Sequence, residues 1–243
     1  MHLVPWLNNC SEMKIRLFTI PNILTLLNLL CGANAVLRAL VFSDLTGAFW
    51  WIALAAAFDF LDGFVARLLK ESSPIGVQLD SLADDISFGF APAAVLYALY
   101  VQMPGIWLGD RVGFIVFVFS AFAALRLAKF NIDDTQHTEF CGLPTPAATL
   151  LCASVGMLAE VRGWVVSREM IVLLAVVVAL LMVSPIRMFA LKFSGFGWRG
   201  NEVRYLFLAF CVVAIAVLRP CSIPVIIVLY ILISTARWIF GRK

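Results

Sequence analysis

Eight stretches of mostly apolar residues, each about long enough to cross a lipid bilayer as a helix, dominate this sequence. A membrane-spanning helix needs about 20 such residues, because its backbone polar groups must be satisfied inside the segment. Charged residues make up 14% of the chain, whereas a soluble domain carries about 25%. We therefore predict an all-α integral membrane protein. The predicted spans are residues 17–40, 46–69, 77–101, 111–130, 143–161, 168–190, 203–219 and 222–240.

The segment that precedes the first span has a different pattern. Apolar residues alternate with polar ones there, which is typical of an amphipathic helix lying in the membrane interface. We expect three regions along the chain. They are the amphipathic segment at 1–16, a six-helix core at 17–190, and two additional C-terminal membrane helices at 191–243.

The basic residues predict an orientation in the membrane. Most of the 18 Lys and Arg residues fall near connections on the side that holds both termini. Cytoplasmic connections carry the excess of Lys and Arg in membrane proteins, so we expect a multi-pass protein of the inner (cytoplasmic) membrane with both termini in the cytoplasm. The formal net charge of +3 is too small to indicate a nucleic-acid partner.

Four aspartates interrupt the second and third apolar stretches. Asp59 and Asp62 are three residues apart and share one helix face, and Asp80 and Asp84 are four apart and share a face of the next helix. A short connection should make the two helices antiparallel neighbours, so we expect the four carboxylates to meet near the cytoplasmic side. Asp85 lies about 100° around the helix from Asp84 and should point elsewhere.

Carboxylates inside a membrane need compensation, because each costs at least about 2.5–3.5 kcal/mol at the helix centre. Oxygen ligands without His or Cys favour Mg²⁺, Mn²⁺ or Ca²⁺, and two such ions would balance four carboxylates. Two-metal sites suit displacement at phosphorus. Two alternatives remain for the four aspartates. They could form ion pairs with Arg67 and Lys70, or they could line the ion path of a transporter or channel. The sequence shows no repeat of one half in the other, which is the usual sign of a transporter.

The spacing Asp59-x2-Asp62-Gly63-x2-Ala66-Arg67-x8-Gly76-x3-Asp80-x3-Asp84 resembles the signature of the CDP-alcohol phosphotransferase family at every fixed position. The resemblance implies an enzyme with two Mg²⁺ or Mn²⁺ ions, with Asp84 as the general base, and an active site on the cytoplasmic side. It also implies a homodimer. The implied metal ligands are Asp59, Asp62, Asp80 and Asp84, and the implied CDP-lipid contacts are Asn22, Thr25, Gly63, Arg67, Ser73 and Gly76.

Further stretches bear on the acceptor alcohol. "LDSLADDISFGFAPAAVLY" and "LRLAKFNIDDTQHTEFCGLPTPAA" resemble the membrane-bound bacterial and archaeal members of the family that use L-serine. The implied reaction of phospholipid biosynthesis is CDP-diacylglycerol plus L-serine giving phosphatidylserine and CMP. Glycerol 3-phosphate, inositol or another alcohol is the alternative acceptor. The candidates for binding serine are Arg126, Asn131 and Lys192, with Lys129 and Arg187 also on that side; the alternative role for each is an anchor for anionic lipid.

Overall fold

The computed structural model describes residues 17–71, 73–132, 139–189 and 201–240, and within them the chain is almost entirely helical. The predicted amphipathic segment at 1–16 lies outside the described residues. The helices are α1 Ile20–Leu40, α2 Leu45–Leu69, α3 Pro74–Asp84, α4 Ala91–Gln102, α5 Val118–Ile132, α6 Thr145–Arg162, α7 Arg168–Val183, α8 Glu202–Leu218 and α9 Ser222–Phe240.

Shorter elements connect these helices. A π-helical turn at Asp85–Phe90 joins α3 to α4 without a break, and 3₁₀ turns at Asp110–Phe117 and Arg219–Cys221 lead into α5 and α9. Two short strands, β1 Glu139–Cys141 and β2 Arg187–Phe189, pair in an antiparallel ladder. The all-α prediction missed this ladder, since three-residue strands are too short to give a recognisable alternation of apolar and polar residues.

Four helical stretches of the described residues are both long and apolar enough to cross a membrane. The outer faces of these stretches expose large apolar side chains such as Leu30, Phe114 and Val212, as expected of surfaces that contact lipid. The prediction of a helical membrane protein is confirmed at this level. The four stretches are Ile20–Leu40, Pro74–Gln102, Asp110–Ile132 and Glu202–Phe240.

The sixth predicted stretch, 168–190, was wrong at its C-terminal end. Helix α7 ends at Val183, and Ser184 is extended, with φ of −66° and ψ of 154°. Ser184 precedes Pro185, whose ring disfavours the helical conformation of the preceding residue and which lacks an N–H to donate. The chain then enters β2 in place of a further helical turn.

Small residues allow the central helices to approach closely. Ala35 and Ala39 of α1 and Ala48 and Ala55 of α2 are fully buried. Within a bilayer, helices gain little from the hydrophobic effect against each other, so close backbone packing over small side chains becomes an important source of association. Helix α1 packs against α3 as well as α2, and therefore holds those two aspartate-bearing helices in place.

The π-helical turn is tied to helices on both sides. The Ser87 hydroxyl donates to the carbonyl of Asn28 on α1 at 3.0 Å. On the other side, the Thr149 hydroxyl of α6 donates to the carbonyl of Phe88 at 2.6 Å. A π-turn disturbs the regular helical ladder and is frequently found at a functional site. These two contacts fix the segment that directly follows Asp84.

We predict that Gly32→Ala destabilises the protein. A Cβ at Gly32 would lie 2.7 Å from the Ser87 Cα, so α1 and the π-helical turn would have to separate. Overpacking of this kind costs about 1–3 kcal/mol, which should lower the midpoint of thermal unfolding measured in detergent. Gly109→Ala is the matched control, because a Cβ there meets no atom within 4 Å among the described residues. Equal midpoints for the two variants would contradict the prediction.

Candidate active site

Three of the four aspartates converge on one point. Single carboxylate oxygens of Asp59, Asp62 and Asp80 all lie within 4.8 Å of one another. Asp59 and Asp62 come from the second half of α2, and Asp80 comes from α3. Asp84 lies one turn after Asp80 on the same helix and interacts electrostatically with both Asp59 and Asp80. The structure therefore joins the four carboxyl groups into one cluster, which we call the aspartate cluster.

Helix α1 supplies polar partners to the aspartate cluster. The Thr25 hydroxyl donates to Oδ2 of Asp62 at 2.6 Å, and the Asn28 amide donates to Oδ1 of Asp84 at 3.1 Å. Thr25 was predicted to contact a CDP-lipid, whereas Asn28 was not predicted at all. The signal was present, because Asn22, Thr25 and Asn28 recur every three residues in the mostly apolar first half of α1 and so share a face.

Simple ion pairing does not account for the aspartate cluster. Within the described part of the chain, none of its carboxylates forms an ion pair with Arg67 or Lys70, and both of these cations are exposed. Oδ1 of Asp80 is buried and has no hydrogen-bond partner among the described residues. A buried carboxylate oxygen normally has such a partner, so this one is available to a ligand.

The donors of the aspartate cluster fit a hard divalent cation. All of the converging atoms are carboxylate oxygens, which Mg²⁺ and Mn²⁺ prefer over His or Cys ligands. Their negative charges repel one another strongly where water is scarce, and a cation would relieve that repulsion. The orphaned oxygen of Asp80 points to the same conclusion. Asp59, Asp62 and Asp80 are thus the residues that could hold metal, with Asp84 beside them.

A cavity of about 130 Å³ adjoins the aspartate cluster between the starts of α1 and α3 and the end of α2. Every residue predicted to contact a CDP-lipid lines it except Arg67. The guanidinium of Arg67 lies at the edge, since a Cβ built on Gly63 would be 3.8 Å from its Nη1 atom. The lining residues are Pro21, Asn22, Thr25, Asp62, Gly63, Ala66, Glu71, Ser73, Gly76, Val77 and Asp80.

Two helix N-termini face this cavity. Thr19 caps α1 by accepting from the Asn22 N–H at 3.4 Å, and Ser73 caps α3 by accepting from the Gly76 N–H at 3.1 Å. The two ends are close, because a Cβ on Gly76 would lie 3.1 Å from Oδ1 of Asn22. Helix N-termini carry partial positive charge and favour phosphate groups. The cavity therefore suits a phosphorylated ligand placed beside a cation site.

The candidates for serine binding are placed differently from one another. Arg126 of α5 donates from Nη1 to the Thr145 hydroxyl at 2.6 Å and interacts electrostatically with Asp84. Its Nε is buried and without a partner among the described residues. Asn131 instead donates to the Ser81 hydroxyl at 2.7 Å on the exposed surface. Lys129 lines a small cavity with Arg126, Arg187 lies in β2, and Lys192 is outside the described residues.

Known proteins resemble this chain over most of its length. A family model described as CDP-alcohol phosphatidyltransferase matches residues 18–184. A CDP-diacylglycerol–serine O-phosphatidyltransferase of Helicobacter pylori is 32% identical over 230 residues, which is 92% of each chain. A protein of the same name from Methanocaldococcus jannaschii is 34% identical over 71% of this chain and 74% of its own. One from Bacillus subtilis is 36% identical over 53% of this chain and 70% of its own.

We predict that Asp80→Asn weakens Mn²⁺ binding at least tenfold in the protein without nucleotide. The amide removes one negative charge and one oxygen ligand from the aspartate cluster, and a tenfold loss of affinity corresponds to about 1.4 kcal/mol. Isothermal titration calorimetry in detergent measures it directly. Asp110→Asn is the matched control, because that carboxylate pairs with Arg168 away from the aspartate cluster. An unchanged dissociation constant for Asp80→Asn would rule out Asp80 as a ligand.

Proposed function

Because this chain belongs to the CDP-alcohol phosphatidyltransferase family, we propose that it transfers the phosphatidyl group of CDP-diacylglycerol to the hydroxyl of L-serine. The products are phosphatidylserine and CMP, which would make the protein a phosphatidylserine synthase of phospholipid biosynthesis. The observation that carries the proposal is the convergence of Asp59, Asp62 and Asp80 beside a cavity at two helix N-termini. The names of the H. pylori, M. jannaschii and B. subtilis relatives support serine as the acceptor.

The cavity beside the aspartate cluster would hold the cytidine diphosphate, while the acyl chains stay in the membrane. Gly63 leaves space next to Asp62, since a Cβ there would meet only Arg67 within 4 Å among the described residues. The N-termini of α1 and α3 would face the diphosphate oxygens. Arg67, exposed at the edge, can reach a phosphate with its planar guanidinium.

Two Mg²⁺ or Mn²⁺ ions would be held by the aspartate cluster, with Asp84 contributing beside Asp59, Asp62 and Asp80. When bound, such ions neutralise the charge that develops on phosphate oxygens during displacement. The α1 side chains keep the ligands oriented, since Thr25 holds one oxygen of Asp62. Groups of this kind tune metal affinity and activity by fixing the ligating carboxylates.

Asp84 is the proposed general base. Asn28 occupies Oδ1 of Asp84, which leaves Oδ2 to accept the proton of the serine hydroxyl. The serine oxygen then forms a bond to the lipid-side phosphorus, and the bond to CMP breaks, with CMP leaving with the electron pair. A general base contributes about 10²–10⁴-fold to a rate. Positioning and electrostatic stabilisation must therefore supply most of the remaining acceleration.

Arg126 is the residue that we propose for the serine carboxylate. Its electrostatic interaction with Asp84 and its buried Nε, which has no hydrogen-bond partner among the described residues, support this role. A guanidinium can pair with a carboxylate through two parallel hydrogen bonds. Asn131 is already engaged by Ser81, and is therefore the weaker of the two described candidates. Lys192 lies outside the described residues, so its role in binding serine stays a prediction.

The proposed arrangement in the membrane rests on the apolar stretches of the sequence and on the distribution of its Lys and Arg residues. We propose eight spans, with both termini and the aspartate cluster on the cytoplasmic side of the inner membrane, and a homodimer as the working unit. The proposed regions are 1–16 as an interfacial helix, 17–190 as the catalytic core, and 191–243 as two additional helices. Accessibility of single introduced cysteines on either side of the membrane would test the orientation.

We predict that purified protein given CDP-diacylglycerol and a panel of labelled alcohols moves label from L-serine into lipid with equimolar release of CMP. Glycerol 3-phosphate and inositol in the same panel should stay unreacted. EDTA should abolish the transfer, and Mn²⁺ or Mg²⁺ should restore it. Label from another alcohol in lipid would overturn serine as the acceptor, and full activity in metal-free buffer would overturn the role given to the aspartate cluster.

We predict that Asp84→Asn lowers kcat at least a hundredfold while binding of CDP-diacylglycerol changes little, because the amide cannot accept the proton. General-base catalysis contributes about 10²–10⁴-fold. Asp85→Asn is the matched control, since its carboxylate lies on the side of Gly89 and Ala123, away from Asn28. Release of CMP at close to the wild-type rate by Asp84→Asn would remove Asp84 as the base.

A further inference from the structure

A short connection, residues 103–109, joins α4 to the 3₁₀ turn that leads into α5, and we call it the 103–109 loop. The helical stretch before it, Pro74–Gln102, has 29 residues, which makes it about 40 Å long at the α-helical rise per residue. A bilayer with its headgroup regions is about 40–45 Å thick. Since the stretch starts at the cavity beside the aspartate cluster, we expect the loop to lie at the headgroup level of the opposite leaflet.

The tip of the 103–109 loop is apolar and open. Ile106 is 74% exposed and Trp107 is 86% exposed, which is more than any other large apolar side chain among the described residues. Met103 and Leu108, on either side of the tip, pack against the apolar core of the bundle. An exposed indole with its N–H group is typical of a residue at a membrane–water interface.

The backbone of the tip already has its hydrogen-bond partners within the protein. A single carboxylate oxygen of Glu169, on α7, accepts from three successive N–H groups of the loop. They are those of Ile106, Trp107 and Leu108, at 2.8, 2.7 and 3.0 Å. An N–H group that leaves water without an acceptor costs free energy. Because Glu169 supplies the acceptor, the tip can enter a less polar layer without stranding these three donors.

Arg168, the neighbour of Glu169, holds the two ends of the 103–109 loop. Its Nε donates to the Tyr100 carbonyl and its backbone N–H donates to the Pro104 carbonyl, both at 3.1 Å. The guanidinium also pairs with Asp110, directly after the loop, at 2.6 Å. The loop therefore has a fixed shape that depends on contacts within the bundle, and its apolar tip is formed before any partner arrives.

We propose that the 103–109 loop is an interfacial anchor, which inserts Ile106 and Trp107 among the lipid headgroups of the leaflet opposite the aspartate cluster, with Glu169 holding the loop in the shape that inserts. The partner is lipid of the bilayer that the chain itself crosses. A loop of fixed shape loses little conformational freedom on insertion. The anchor would help to set the depth of Pro74–Gln102, and so the depth of Asp80 near its other end. The proposal does not depend on the acceptor alcohol or on the reaction.

Fluorine NMR of the full chain tests the insertion. The seven Trp residues are replaced by fluorotryptophan, the protein is placed in nanodiscs of phosphatidylethanolamine and phosphatidylglycerol, and the Trp107 signal is assigned by its loss in Trp107→Phe. We expect a lipid with a nitroxide near the top of its acyl chain to reduce the Trp107 signal at least twofold. A water-soluble gadolinium chelate should leave at least half of that signal.

Three outcomes would overturn insertion into lipid. They are a Trp107 signal that the nitroxide lipid leaves unchanged, a signal that the soluble chelate removes, and a signal that neither agent reduces. The second result would place the tip in water, and the third would mean that protein, such as a second copy of this chain, covers it.

Variants of Glu169 test its part in the anchor, with the Trp107 signal assigned again in each background. Glu169→Ala leaves the three N–H groups without their acceptor, so we expect the effect of the nitroxide lipid on Trp107 to fall at least twofold. Glu169→Gln keeps an acceptor oxygen and should behave as wild type. Glu160→Ala is the matched control, because Glu160 accepts from the Thr46 N–H and hydroxyl, both at 2.6 Å, at the start of α2. An equal nitroxide effect in Glu169→Ala and wild type would overturn the part given to Glu169.

Discussion

Four carboxyl groups placed on membrane helices are the constraint around which the rest of this structure is arranged. Each would be costly in hydrocarbon, and together they repel. Helix α1 supplies neutral hydrogen-bond donors to two of them. Thr25 donates to one oxygen of Asp62, and Asn28 donates to one oxygen of Asp84. The fold leaves Oδ1 of Asp80 with no partner among the described residues. Partial satisfaction of this kind is what a cation site needs, since full satisfaction by protein donors would leave nothing to bind a metal.

The backbone around the aspartate cluster follows from the same constraint. Helices α2 and α3 must bring their carboxylates together and still leave a cavity between them. The chain therefore leaves α2 through Lys70, whose φ of 55° is in the left-handed region, and starts α3 at the Ser73 cap. After Asp84 the helix widens into the π-helical turn, which Thr149 of α6 secures at the Phe88 carbonyl. The left-handed Lys70, the Ser73 cap and the π-helical turn all lie at the ends of the helical segments that carry the aspartate cluster.

Local spacing made part of this site predictable, and tertiary packing decided the rest. The i, i+3 and i, i+4 pairs of aspartates fix which residues share a helix face, so their meeting could be predicted. The sequence could not indicate the π-helical turn, which depends on contacts of Ser87 and Thr149 with residues far along the chain. Asn28 was missed although it shares a face of α1 with Asn22 and Thr25, because only the packing of α1 against α3 identifies its partner, Asp84. The early end of α7 was in principle visible at Pro185.

The two halves of the proposed chemistry draw on different parts of the bundle. The nucleotide and metal side is built from α1, α2 and α3, within the residues that the family model matches. The proposed acceptor side lies at α5 and α6, where Nη1 of Arg126 donates to the hydroxyl of Thr145. On this proposal, a change of acceptor alcohol would require new side chains on α5 and α6, while the nucleotide and metal side could stay the same.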